Sequence, residues 1–206
     1  MNYEIDQEKL SELLVMEHSA FIVLNGDEDH FSRTFGKLEI NNSLKVINRL
    51  RAARRIPAIA VNFNYSNSPD SEAYDGLSGK RKSRTGRTSS ISGQYSDLRR
   101  DFLNNMSSLS PLMTVTSRNE NAFNSVELSA TLESLHIDRV FITGFDTDAE
   151  VIVTASGTLS RGIMPVVVSD GVSSPSERLH FSALEILSNF SEIVDSREMS
   201  IFFFGE

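Results

Sequence analysis

The chain is 206 residues long, with 39% hydrophobic and 23% charged residues, a composition that supplies one globular domain whose core needs no covalent staples. It has no cysteine, which excludes a thiol nucleophile, disulfides and cysteine-held zinc or iron–sulfur centres. A formal net charge of −8 makes nucleic acid an unsuitable partner for the surface as a whole, and no apolar run reaches the length of a membrane span. The start MNYEIDQEKL is polar and acidic, unlike a secretory leader, so the sequence predicts a cytoplasmic protein.

In chain order, Leu10, Leu13 and Leu14 share one face of a helix predicted over residues 6–16, packed across a sheet edge. Residues 20–24, AFIVL, form a continuous apolar run, as expected of a strand covered on both faces, and lead into the acidic turn 25–30. A helix is predicted over 43–54 with Leu44, Ile47 and Leu50 inward, and a second buried strand over 57–63. From about 64 to 94 the composition turns to Ser, Gly, Asp and Arg without a structural period, which predicts a long polar loop. Within it Lys80, Arg81, Lys82, Arg84 and Arg87 form a basic cluster. With no stacking aromatics interleaved among them, the cluster reads as a solvated loop neutralised by an acidic neighbour or subunit, rather than as a phosphate or nucleic-acid contact.

Residues 112–116 predict a third strand, followed by the polar turn 117–121. Val126, Leu128, Leu132 and Leu135 then form a helix face. Residues 140–143 are β-branched and aromatic, Gly144 ends the run, 151–159 carries apolar residues at helical spacing, and 164–168 is a second strand: a βαβ crossover. Ser174-Pro175-Ser176-Glu177 predicts a capping box with proline at the first helical position, and Leu179, Ala183, Ile186, Leu187 and Phe190 a buried face. A last strand is predicted at 192–194. The apolar tail 200–206 needs cover from its own sheet or from another subunit.

Alternating strands and helices predict a three-layer α/β/α sandwich, a single domain over 1–206 with a mostly parallel central sheet of about six strands. No glycine-rich phosphate loop occurs, so no nucleotide cofactor is expected. In open parallel sheets ligands sit beyond the carboxyl ends of the strands. That rule directs attention to 144–150, with Asp146, Asp148 and Glu150.

Three stretches carry a family resemblance: AFIVLNGDEDHF at 20–31, SRNENAFNSVEL at 117–128, and TGFDTDAEV at 143–151 with Ala155, Arg161-Gly162, 166–170 and His180 following it. Together they resemble the isochorismatase-like hydrolases, the superfamily that includes nicotinamidases and carbamoylsarcosine amidohydrolases. The resemblance implies that family's three-layer fold and a catalytic aspartate, lysine and cysteine, and it places Asn25, Ser117 and Glu150 at those three positions. In the family a thiol at a helix start beside a lysine becomes the thiolate nucleophile while the aspartate moves protons. Here an amide, a hydroxyl and a carboxylate stand instead, so amide hydrolysis by that route is not expected. Asp27, Phe145, Asp146 and Phe123 are further pocket candidates. The resemblance also implies a non-proline cis peptide near Gly144-Phe145-Asp146.

The nicotinamidase metal ligands have no counterpart, since 62–70 contains no histidine and His18, His30, His136 and His180 lack ligand spacing; no metal or other cofactor is expected. A hard cation held by Asp27, Asp29 and Glu150 is chemically conceivable, but solvated loop acids are the simpler reading. Thr147 and Glu150 fit a T-x-x-E capping box, which makes Glu150 a helix-stabilising residue; the functional alternative makes it a general acid. His180 reads as a packed or hydrogen-bonded residue and Asp170-Gly171 as a turn after a strand. The expectation is therefore a catalytically inactive pseudoenzyme that binds a small molecule in a remnant pocket, or a protein partner, and forms a homo-oligomer. The alternative is a cysteine-independent hydrolase cleaving a vinyl ether, with Glu150 or Asp27 as general acid.

Overall fold

The computed structural model describes residues 17–65 and 92–205, together with Ser11, Glu12 and Leu14. The predicted apolar runs form strands β1 (Ser19–Leu24), β2 (Ala58–Phe63), β3 (Met113–Ser117), β4 (Arg139–Phe145), β5 (Met164–Ser173) and β6 (Glu192–Val194). They make one six-stranded sheet in the order β3-β2-β1-β4-β5-β6. Every neighbouring pair is parallel.

Around the sheet lie α1 (Glu28–Arg33), α2 (Lys37–Arg54), α3 (Ser92–Leu109), α4 (Val126–Ser134), α5 (Ile152–Leu159), α6 (Glu177–Leu187) and α7 (Ser196–Phe204). Strand side chains alternate between two faces, and β1 shows it: Ala20, Ile22 and Leu24 join one buried cluster, Phe21 and Val23 the other. The first cluster is closed by Leu128 and Leu132 of α4, Ala155 of α5 and Leu187 of α6. Ile47 and Leu50 of α2, Leu109 of α3 and Met199 of α7 close the second. This is the expected three-layer sandwich. Each of the buried leucine, isoleucine and methionine side chains contributes about 1.5–3 kcal/mol relative to an exposed one.

Strand order decides where a ligand can sit. The chain steps from β1 to β2 and β3 on one side, then returns to lay β4 on the other side of β1. Loops leaving β1 and β4 therefore diverge to opposite flanks and open a crevice at their carboxyl ends.

Several local expectations are corrected. Helix α2 begins at Lys37, six residues before the predicted start. Helix α3 was not predicted; it buries Phe102 and Leu109 and packs Leu98 and Met106 against the core. On α4 only Leu128 and Leu132 turn inward, while Val126 and Leu135 are exposed. Strand β5 continues through Asp170-Gly171, which lie in an irregular stretch between Val167 and Val172 rather than in a turn. Helix α6 is capped by Ser176, whose side chain accepts from the Leu179 amide, so Pro175 precedes the helix and Ser174 is no cap. His180 is buried on this helix, whereas Ile186, expected inward, is exposed.

The apolar tail is helical. Phe203 and Phe204 pack on the α2 side, with the Arg54 and Arg49 guanidinium groups over their rings at 5.2 and 3.9 Å. Leu14 is buried in the same cluster. The basic cluster at 80–87 and most of the predicted helix at 6–16 lie outside the described residues. Among the described residues no helix is long and apolar enough to cross a membrane.

Candidate functional site at the crevice between two central strands

Asn25 follows β1 directly. It is 2% exposed, has a left-handed backbone (φ 51) and donates its amide to the Val61 carbonyl at 2.9 Å. Asparagine tolerates that conformation better than most residues. Beside it Phe63 pairs with Ser117, and the Asn64 amide donates to the Ser117 carbonyl at 2.9 Å, so the ends of β2 and β3 lie on the same edge. The buried Ser117 hydroxyl turns back into its own loop, 2.6 Å from the Asn121 carbonyl and 2.9 Å from that of Asn119. That loop docks on α5, with the Ala122 amide donating to the Thr154 hydroxyl at 3.2 Å.

On the other flank Gly144 pairs with Leu24 at φ +113, and a β-carbon there would stand 2.0 Å from the Leu24 carbonyl oxygen. Only glycine fits this contact between strands. The strand runs one residue past it, and the Phe145–Asp146 peptide is cis, where the resemblance placed one.

Residues Thr147–Val151 then form a single π-helical turn closed by the Val151 amide donating to the Asp146 carbonyl at 3.2 Å. The predicted capping box is absent. The Thr147 hydroxyl instead meets His180 Nδ1 at 2.9 Å, and the Tyr65 hydroxyl donates to the Glu150 carboxylate. Glu150 itself is 2% exposed. The next acid, Asp148, accepts from the Ser174 hydroxyl at 2.6 Å and donates its amide back to it at 3.3 Å. Side chains that a local pattern assigns to capping are thus held by β2's loop, β5's end and α6. Burial pushes the His180 imidazole down to about 4 against the opposing pull of Asp148, so the ring is neutral at pH 7.

A sequence profile of the isochorismatase domain matches residues 19–198. The chain belongs to the isochorismatase family. Among solved structures, the MAR1 ribonuclease from Caenorhabditis elegans is similar at TM-score 0.65 and 17% identity, over 92% of this chain and 83% of that one. An isochorismatase-like hydrolase from Alkaliphilus metalliredigens is similar at TM-score 0.62 and 18% identity, over 88% and 96%. A nicotinamidase from Staphylococcus aureus aligns at TM-score 0.55 and 15% identity, over 87% and 99%. At these identities the likeness is one of fold. Comparison with curated protein sequences gave no match.

In this isochorismatase-family chain the other sequence candidates scatter around the crevice. Asp27 is the N-cap of α1, with its side chain 47% exposed and paired to His30. Asp146 is partly exposed, after the cis peptide. The Phe145 ring is buried against Phe102 at 6.0 Å on the α3 side. Phe123 is buried on the opposite side under the Arg161 guanidinium at 4.4 Å. Among the described residues no three His, Asp or Glu side chains gather closely enough to hold a metal, and this includes Asp27, Asp29 and Glu150.

Asp170, read from sequence as a turn residue, anchors α7: its carboxylate accepts from the Ser196 amide at 2.9 Å and from the Ser196 hydroxyl. Burial, with nearby Asp195, raises it to about 6. Tyr65 was missed altogether. Its only signal in sequence is its place two residues past a parallel strand, the location that singled out 144–150.

Proposed function

We propose that this isochorismatase-family chain binds a small molecule in the crevice between β1 and β4 and lacks the family's thiol-based amide hydrolysis. Asn25, Ser117 and Glu150 take the places of the aspartate, lysine and cysteine. The observation carrying this reading is the fate of Glu150: at the expected nucleophile position stands a buried carboxylate that accepts a hydrogen bond from the Tyr65 hydroxyl. The Ser117 hydroxyl is spent on backbone carbonyls and brings no positive charge to an anionic intermediate. Asn25 holds no titratable proton.

Purified protein incubated with isochorismate, nicotinamide and a carbamoyl amide is expected to give no turnover above background. Turnover that disappears in Glu150→Gln would overturn the inactive reading. It would favour the second one, vinyl-ether cleavage with Glu150 as general acid, which draws support from the burial of that carboxyl group. Asp27 is the weaker acid for this role: burial raises its pKa, but hydrogen bonds from the His30 side chain and amide outweigh this and hold it below the usual aspartate range. The proposal extends to a homo-oligomer formed through α7, where Ile201 and Phe202 stay exposed. A monomeric mass by light scattering would remove that part.

A further inference from the structure

Ligand binding in the crevice meets an obstacle: Asn25, Ser117 and Glu150 are 2%, 0% and 2% exposed. A ligand reaches them only after a covering side chain has moved. Tyr65 covers Glu150, donating its hydroxyl to the carboxylate while its ring stacks on Phe63, with centroids 6.5 Å apart and planes 18° apart. The two partners are not equally fixed. Glu150 sits in the π turn among the buried Thr147, Ala149 and Val151. Tyr65 is half-buried and lies outside the sheet, since β2 ends at Phe63 and the Asn64 amide makes the next backbone bond, to Ser117. The tyrosine is therefore the partner that can swing away.

Asn25 gives a second, independent sign of a ligand. It lies between the strands that lead to Tyr65 and Glu150: its backbone amide bonds Val61 of β2, and its neighbour Leu24 pairs with Gly144 of β4. Among the described residues no hydrogen bond holds its buried side-chain amide. Buried amides in folded proteins are nearly always paired, so a further polar group belongs beside this one.

We propose, resting on the ligand-binding reading above, that Tyr65 is an internal stand-in for the ligand and that the crevice takes a phenol or another hydroxylated aromatic ring. Such a ring displaces Tyr65, donates its hydroxyl to Glu150 and lies against Phe63. It restores both contacts that the departing side chain gives up, the hydrogen bond and the stacked face. An apolar ring restores only the second, and takes from the buried carboxylate the donor that Tyr65 supplies. Asn25, donor and acceptor in one group, is placed to meet a second polar substituent. Because ligand and tyrosine compete for one carboxylate, the apparent affinity is reduced by the fraction of molecules in which Tyr65 has swung away.

The test is calorimetric titration of the full chain with p-cresol, which has the ring and hydroxyl of tyrosine, and with toluene, which lacks the hydroxyl. Tyr65→Phe keeps the ring and removes the bond to Glu150, so it should bind p-cresol about 10-fold more tightly than wild type. Tyr65→Ala should bind it more tightly still. In Tyr65→Ala, toluene should bind about 10-fold more weakly than p-cresol, and adding Glu150→Gln should weaken p-cresol about 10-fold, because a charged acceptor is lost. Equal p-cresol affinity in wild type and Tyr65→Phe overturns the stand-in. So does a Tyr65→Ala variant that binds no p-cresol, or binds toluene equally well, which is what a mere packing hole would give. If Tyr65→Ala fails to fold, wild type against Tyr65→Phe still decides. The two readings fail separately: isochorismate turnover dependent on Glu150 sinks the inactive reading, whereas equal affinities sink only the stand-in.

Discussion

Residues 147–150 and 195–198 carry the same local signature, an oxygen-bearing side chain followed three residues later by glutamate, yet they fold differently. At the start of α7 the signature forms a complete capping box, with the Asp195 amide donating to Glu198 at 2.9 Å. After β4 it forms none: Thr147 turns to His180, Glu150 to Tyr65, and the backbone takes a π turn. A helix cap is worth about 1 kcal/mol, whereas leaving a buried donor or acceptor unsatisfied costs about 1–3 kcal/mol. In the crevice, where partners from three other elements converge, the tertiary bonds win. At α7, Asp195 and Glu198 find their partners within their own turn.

Each region also holds a desolvated titratable group, and the two are shifted in opposite directions, His180 down and Asp170 up. His180 holds the π turn in place and Asp170 holds α7.

The largest effect that would break the contrast is Gly144→Ala. It places a β-carbon 2.0 Å from the Leu24 carbonyl oxygen at positive φ, and should cost more than about 4 kcal/mol in urea unfolding. Gly205, which ends α7 at φ +75 with nothing near its β-position, should lose only about 1 kcal/mol on the same change.

The pH dependence of stability comes next. Asp170 is raised from 3.8 to about 6, so its contribution is fully present below pH 3.8 and lost as pH rises through 6. His180 is lowered from 6.5 to about 4, so its contribution is present above pH 6.5 and lost as pH falls toward 4. Each shift corresponds to about 3 kcal/mol, and between pH 4 and 6 the two slopes oppose one another. Asp170→Asn keeps one oxygen to accept from the Ser196 amide, and its Nδ2 can donate to the Ser196 hydroxyl in place of accepting from it. It should unmask the His180 slope and gain up to about 3 kcal/mol at pH 7. Urea melts at pH 4.5, 5.5 and 7 check this, and an unchanged pH profile would count against it.

Thr147→Val removes a buried partner of His180 and should cost about 1–3 kcal/mol. The smallest effect is Glu198→Ala, which removes half of a capping box for about 1 kcal/mol; a loss larger than that of Thr147→Val would reverse the comparison.

Most of the sheet was legible because buried parallel strands are written as short apolar runs, and 20–24, 57–63 and 192–194 match their strands to within a residue. Helix α3 escaped although Leu98, Phe102, Met106 and Leu109 recur at helical spacing, because serines and asparagines dilute the pattern. Position 150 could be found from the strand–turn–helix pattern, but its surroundings could not. Tyr65 and His180 stand 85 and 33 residues from their partners, a distance at which no local rule operates. The same blindness turned Asp170 into a turn residue, since its reason for burial is a helix that starts 26 residues later.

The central claim is that positions 25, 117 and 150 form one site whose nucleophile has become a buried, tyrosine-bound carboxylate. Alkylation of the triple variant Asn25→Asp, Ser117→Lys, Glu150→Cys with iodoacetamide tests it most directly. The account predicts that the only thiol in the chain reacts readily at pH 7, with a pKa below the ordinary cysteine value of about 8.5. A folded variant whose thiol stays inert would contradict it.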